Sequence, residues 1–307
     1  MPYQTTLARP VEVSGRGLHS AVPVRLRILP APSGRGIVFR RTDLDNFEIE
    51  ACWRHVARVS YASSLMKRGV LISTTEHLLS GLMGAGVDNA IVEIDALELP
   101  ILDGSAAPYM EMLERAGLRR QRARRVCARI LQPVEVVEGP KRIGIYPPLP
   151  SQHGFHVSCT INFPHPLIGL QSYSLDLTPE RYAREIAPAR TFGFLRDEQT
   201  LRNMGLIRGA SVENVLVLTD AGLMDNAGLR FRDEFCRHKL LDLLGDLALL
   251  GRPILGRVVA ERAGHSMHVA LVNRLMRDRS LWEEVTEPAE EAVAVAGARQ
   301  AHLSPAP

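Results

Sequence analysis

The sequence predicts an α+β protein of two domains. Three observations carry that expectation. The chain has 307 residues, about twice the usual size of a domain. Each half runs from short strands into helices, instead of alternating the two. A basic stretch without an apolar face, Arg119 to Arg125, separates the halves. The domains are therefore placed at 1–124 and 125–282, with 283–307, rich in Ala, Glu and Pro, as a flexible tail expected to fray.

The first half opens with short, often alternating apolar runs at Thr6 to Val13, Val22 to Leu29 and Ile37 to Arg40, separated by Gly- and Pro-containing turns such as Pro30 to Gly34. These read as strands. Ser73-Thr-Thr-Glu76 has the spacing of a capping box and starts a helix that ends before Gly84 and Gly86. A strand over Asn89 to Ile94 follows. After the turn at Asp103-Gly-Ser, a second helix runs from about Ala106 to Gly117. In the second half, strands are read at Ala128 to Glu138, Arg142 to Tyr146, Phe155 to Phe163 and Gln171 to Leu175, and short helices at Pro179 to Ile186 and Asp197 to Met204. A buried strand, Asn214 to Leu218, leads into a strong helix from Asp233 to Leu250. Strand Leu255 to Glu261 and helix Ser266 to Arg277 close the domain.

Composition excludes several classes of function. Hydrophobic residues make up 46% and charged residues 23%, ordinary values for a globular enzyme. A net charge of +3 suits an anionic small molecule without requiring one. Met1 to Pro10 has no apolar core, so no secretory signal is read. No apolar run is long enough to span a bilayer. Cys52, Cys127, Cys159 and Cys236 form no C-x-x-C pair, which suggests a reduced, cytoplasmic chain. Arg119 to Arg125 could be a nucleic-acid patch, but no aromatic residue interleaves with it to stack on bases. A solvated linker is the preferred reading, and no nucleic-acid partner is expected.

The chemistry concentrates on the helix around His238. His238, Asp242 and Asp246 stand at i, i+4 and i+8 on one face of a segment otherwise rich in Leu. Carboxylates in such surroundings are costly unless they meet a cation or strong donors, so the stripe reads as a metal or proton-transfer site. Glu76-His77 offers a ligand beside a base, although capping-box spacing gives Glu76 a purely structural alternative. His265, at a strand-to-helix junction, and His19, in Gly15-Arg-Gly-Leu-His-Ser20, are ambiguous by themselves. Together these residues offer two His and one Asp for a metal, a Glu base and another His as acid. Three protein ligands with an open position is the catalytic zinc pattern. There is no HExxH, which disfavours a zincin protease.

The strings G-R-G-L-H-S (15–20), G-I-V-F-R-R-T-D-L (36–44), S-T-T-E-H-L-L (73–79), D-G-S-A-A-P (103–108), A-R-T-F-G-F (189–194), G-L-R-F-x-D-E-F-x-R-H-K-x-L-D-x-x-G-D (228–246) and G-H-S (264–266) closely resemble the UDP-3-O-acyl-N-acetylglucosamine deacetylases, in matching order from about residue 2 to 283. The resemblance implies a two-domain α/β sandwich, each domain a small sheet layered on helices, with the active site between the domains and an insert in each. It implies hydrolysis of the N-acetyl group of a UDP-linked acylated amino sugar, the committed step of lipid A biosynthesis. One Zn2+ per chain is implied, held by His77, His238 and Asp242; iron(II) is also acceptable to such donors. Glu76 is implied as general base, His265 as general acid held protonated by Asp246, and Thr191 as an oxyanion donor. Lys239, Leu18, His19 and Arg262 are implied contacts to the substrate, Phe163 a stacking partner for uracil. The second insert would form a passage for the acyl chain, to which Phe192, Phe194, Leu195, Leu206 and Ile207 contribute apolar side chains. Asn162, where relatives often carry an acidic residue, and Ser20, where Thr is common, depart from the pattern. A cytoplasmic monomer is expected.

Overall fold

A computed structural model describes residues 2–57, 61–150, 154–224 and 228–286. The first half contains β1 (Tyr3–Leu7), β2 (Val11–Arg16), β3 (Pro23–Pro30), β4 (Ile37–Arg41), β5 (Phe47–Glu50), the hairpin β6 (Ser64–Lys67) and β7 (Val70–Ser73), α1 (Glu76–Ala85), β8 (Ala90–Ile94), α2 (Ala107–Ala116) and β9 (Leu118–Arg124). Its main sheet has the order β2-β3-β8-β4-β5. In β3, alternation places Val24, Leu26 and Ile28 in the core, while Arg25 and Arg27 face Glu12 and Glu93. Helices α1 and α2 cover the apolar face, burying Leu78, Leu82, Tyr109 and Leu113.

The second half contains β10 (Val126–Ile130), β11 (Val134–Glu138), β12 (Lys141–Tyr146), β13 (Phe155–Phe163), β14 (Gly169–Asp176), α3 (Pro179–Glu185), β15 (Phe192–Phe194), α4 (Glu198–Asn203), β16 (Leu216–Thr219), β17 (Gly222–Leu223), α5 (Glu234–Leu247), β18 (Ile254–Glu261), α6 (His265–Arg277) and β19 (Trp282–Thr286). Strand β18 is central. It pairs antiparallel with β12 and parallel with β13 and β10, and β14 extends the sheet beyond β13. Helices α5 and α6 lie against this sheet. The buried apolar residues fall into two clusters, one under each sheet, as expected for an α+β chain of two layered halves. Two small units interrupt the halves. The β6–β7 hairpin precedes α1, and β15, α4 and β16 form a parallel strand–helix–strand unit ahead of α5.

Several sequence readings need correction. Arg119 to Arg125 is no solvated linker. Its residues up to Arg124 form β9, paired antiparallel with β1, with Arg120 stacked on the Tyr3 ring at 3.7 Å. Glu283 to Thr286, read as the start of a fraying tail, completes β19 against β10. The rest of that tail, 287–307, lies outside the described residues. Ser73 caps nothing. Thr75 stands before the first residue of α1, without a side-chain capping bond, and Glu76 opens the helix itself.

Helices α1 and α5 cross at very close range, and Gly245 is the reason. A Cβ at this position would lie 2.1 Å from the Glu76 carbonyl oxygen and 2.7 Å from its carbon. Backbone cannot yield cheaply, so Gly245→Ala must push the helices apart. Overpacking of this kind costs about 1–3 kcal/mol. The substitution is expected to lower the denaturation midpoint accordingly, and an unchanged midpoint would show that the crossing tolerates a methyl group.

Candidate metal and catalytic site

The α1–α5 crossing sets the site. His77, in the first turn of α1, and His238, in the first half of α5, meet edge to face with ring centroids 5.0 Å apart. His77 Nε2 and His238 Nε2 lie 3.6 and 3.4 Å from Asp242 Oδ1. Donor atoms of these three buried residues all lie within 4.8 Å of one another. His238 Nδ1 faces the Ala189 carbonyl at 3.1 Å, which leaves Nε2 as the free lone pair. Burial pushes His238 down to about 3, outweighing the pull of Asp242, so the ring stays neutral and able to ligate. Burial opposes the charge of Asp242, but the Lys239 ammonium outweighs it and holds the carboxyl well below its usual range. Two buried imidazoles and one carboxylate, converging on a common space, fit a divalent metal.

Around this cluster stand the proton-transfer groups. Glu76 is buried, and burial raises its pKa despite the nearby histidines. Its Oε2 accepts the Ser63 backbone N–H at 3.0 Å, which ties the carboxylate to the segment just before β6. Asp246, one turn beyond Asp242 on α5, accepts His265 Nδ1–H at 2.7 Å, and this leaves His265 Nε2 3.9 Å from Asp242 Oδ2. Burial opposes the charge on His265, but Asp246 outweighs it and lifts the imidazole to about 9. Reciprocally, His265 outweighs the effect of burial on Asp246 and brings it down to about 2. A half-buried, protonated imidazole and a buried carboxylate of raised proton affinity thus share the site. Such a separation of acid from base is typical of hydrolytic sites.

The remaining residues read from the sequence distribute as follows. Lys239 Nζ bonds Asp242 Oδ2 at 2.9 Å and lies 5.6 Å from the Phe192 ring centre. Phe163, Phe192 and Phe194 form one aromatic group, with centroid separations of 5.7, 5.9 and 6.4 Å, and Phe192 stands 6.3 Å from the His238 ring. Thr191 is pinned by its backbone: its N–H donates to Gly104 O, and its carbonyl accepts from Leu216 N–H, both at 2.8 Å. Gly104 sits at φ 82°, and a Cβ there would lie 2.1 Å from the Asn214 carbonyl oxygen, so only glycine allows this approach. Leu18 and His19 pair through their carbonyls with Gly209 N–H and Arg208 N–H, at 3.0 and 3.2 Å. The same loop seats His19 N–H and Ser20 N–H on the buried Glu98 carboxylate, at 2.8 Å each. Leu195, Leu206 and Ile207 are half-buried in the β15–β16 unit. Ile207 holds φ 50°, rare for a β-branched residue, with its N–H 3.4 Å from His19 Nδ1. Arg262 is exposed at the end of β18, outside the hydrogen-bond network of the cluster, at φ 53°.

Sequence reasoning missed several residues that shape the site. Glu234, fully buried at the start of α5, takes Arg190 Nε–H at 2.8 Å and Arg230 N–H at 2.6 Å, binding the 189–194 and 228–231 strings to one helix end. His165 holds the Thr219 carbonyl at 2.7 Å beside Phe194. His268 bonds Asp246 and stands at i+3 from His265, a spacing visible in the chain. Ser63, which reaches both Glu76 and Asp246, carries no local signal. A separate cavity of about 620 Å³, lined by Gly36, Cys52, Arg125 and Arg252 among others, includes none of the cluster residues.

Known proteins resemble this chain along most of its length. The model of the UDP-3-O-acyl N-acetylglycosamine deacetylase family matches residues 4–277. Three curated relatives carry the name UDP-3-O-acyl-N-acetylglucosamine deacetylase. That of Solibacter usitatus is 57% identical over 286 residues, covering 93% of this chain and 95% of its own. The Myxococcus xanthus protein is 46% identical, covering 92% and 89%, and the Marinobacter nauticus protein 42%, covering 93% and 94%. Matched along nearly its whole described length, the chain belongs to the UDP-3-O-acyl N-acetylglycosamine deacetylase family.

Proposed function

We propose that the protein hydrolyses the N-acetyl group of UDP-3-O-acyl-N-acetylglucosamine, giving acetate and the free amine, the committed step of lipid A biosynthesis. One zinc ion would be held by His77, His238 and Asp242. The observation that carries this reading is the meeting of that donor set with a buried carboxylate on one side, Glu76, and a carboxylate-held imidazole on the other, His265.

An amide resists hydrolysis because water is a weak nucleophile and an amine a poor leaving group. Zinc, when bound, supplies Lewis acidity and makes a bound water far easier to deprotonate. Glu76 accepts the proton of the attacking water, its proton affinity raised by burial. Thr191 donates its hydroxyl to the developing oxyanion, an interaction worth about 3–4 kcal/mol per donor in other enzymes. His265 delivers its Nε2 proton to the leaving nitrogen, and Asp246 stabilises the imidazolium beforehand. Lys239, Leu18, His19 and Arg262 would contact the sugar–nucleotide portion, and Phe163 would stack on the uracil ring. No disulfide joins Cys52, Cys127, Cys159 or Cys236, which suits a cytoplasmic location. Among the described residues, no helix is long and apolar enough to cross a membrane.

The direct test is deacetylation of the UDP-linked acyl sugar with chelator and after zinc is restored. Activity on peptides or other N-acetyl sugars, but not on this substrate, would transfer the site to a different amidase. The acyl passage adds a second expectation. Half-buried Phe192, Phe194, Leu195, Leu206 and Ile207 would cover the chain, and each buried methylene contributes about 0.8 kcal/mol. A substrate lacking the acyl group should therefore lose roughly 100-fold or more in kcat/KM. Equal values for the two substrates would remove these residues from acyl recognition.

A further inference from the structure

We propose that His268 is a positioning residue for the acid half of the site: it donates Nδ1–H to Asp246 Oδ2 and so fixes the carboxylate that aims His265. His265 and His268 occupy the first turns of α6 at i and i+3, on one face of the helix. Their rings lie 5.9 Å apart at 69°. Both Nδ1 atoms reach the same oxygen, at 2.7 and 2.8 Å, distances proper to N–H···O bonds. The other oxygen, Asp246 Oδ1, takes the Ser63 hydroxyl. Asp246 is fully buried, so these three donors stand in for solvent around its charge.

The two imidazoles differ in task. Burial lowers the pKa of His268, against the pull of Asp246, so His268 remains a neutral donor and leaves the carboxylate's charge to His265. What it adds is direction. Rotation about the last torsion of an aspartate is soft. With two N–H groups on Oδ2 and one hydroxyl on Oδ1, the carboxylate plane is held, and the ring of His265 must present Nε2 toward Asp242 and the reacting centre. Removing His268 would leave a single N–H on Oδ2. The acid would then wander about its hinge, while the metal ligands on α1 and α5 would keep their places.

This inference rests on His265 as the general acid, and the experiment separates the two. Leu and Asn have nearly the same shape, and only Asn carries an N–H where His268 has Nδ1–H. In the metal-loaded enzyme, His268→Leu is expected to lower kcat about 10–100-fold, the scale of outer-shell losses, with KM and bound metal unchanged. His268→Asn should recover most of that loss. Equal kcat for the two variants, or a loss that falls on KM or metal content, overturns the proposal. His265→Ala is the control. If it is inactive while the position-268 variants are equal, only the role of His268 falls; if it keeps full kcat, the acid assignment falls and the positioning role with it. Should His268→Leu not fold, 15N resonances of the unsubstituted holoenzyme decide. A neutral His268 protonated at Nδ1 is expected, and protonation at Nε2 alone overturns the proposal.

Discussion

His238→Ala is expected to leave the purified protein without its metal ion and to lower kcat/KM by at least about 10³-fold, the scale on which metal-assisted activation contributes. The reason is geometric. His238 is almost fully buried, its Nδ1 is committed to the Ala189 carbonyl, and Nε2 can face only the space shared with His77 and Asp242. With the ring gone, two donors remain on a cation that needs at least three protein ligands to stay through purification. The Asp242 carboxylate would keep Lys239 as its partner at 2.9 Å, so the pocket need not collapse. Metal analysis of variant and parent, with the far-ultraviolet circular dichroism of each, checks the result. Stoichiometric metal in a folded His238→Ala protein would strike His238 from the ligand set.

Glu76→Gln carries the next largest effect, about 10²–10⁴-fold in kcat. Glutamine keeps a carbonyl oxygen to accept the Ser63 N–H at Glu76's position, so helix α1 keeps its start and His77 its place, but the proton acceptor is lost. The parent enzyme should show a bell-shaped pH–rate profile. The base must be ionised, so the rate climbs as pH rises through the pKa of Glu76, which burial lifts above the usual carboxylate range. The acid must be protonated, so the rate falls as pH passes the pKa of His265, lifted to about 9 by Asp246 over the opposing effect of burial. The positive charge of a bound ion lowers both, which places the alkaline fall at or below pH 9. In Glu76→Gln the acidic limb should flatten, and in His265→Ala the alkaline limb. A profile that keeps both limbs in both variants would mean that other groups move the protons.

Local pattern made much of the fold readable. Alternation in β3 and β13 and the leucine-rich periodicity of α5 are short-range consequences of which faces are buried. Strand β9 escaped because LRRQRAR has no apolar face at all. Its partner β1 lies at the far end of the first half, and it is β1, through Thr6 and Leu7, that supplies the buried side of the ribbon. Strand β19 escaped for a similar reason: Glu283 and Glu284 face Arg129, Arg252 and Arg279 instead of a core. Glu76 illustrates the limit most clearly. Capping-box spacing and a catalytic base make identical local demands, and only the Ser63 N–H on its carboxylate distinguishes them.

The sequence by itself determined that α5 would carry His238, Asp242 and Asp246 along one stripe, since 3.6 residues per turn puts i and i+4 together without help from any other segment. It also determined two layered α+β halves, because each half has apolar residues enough for its own core. Only the tertiary structure decided which histidines join the stripe. His77 reaches it because Gly245 lets α1 touch α5 backbone to backbone. His265 and His268 reach it because α6 begins where β18 ends beside α5. Contacts between distant segments depend on the shape of what lies between them, and no local rule of spacing encodes that shape.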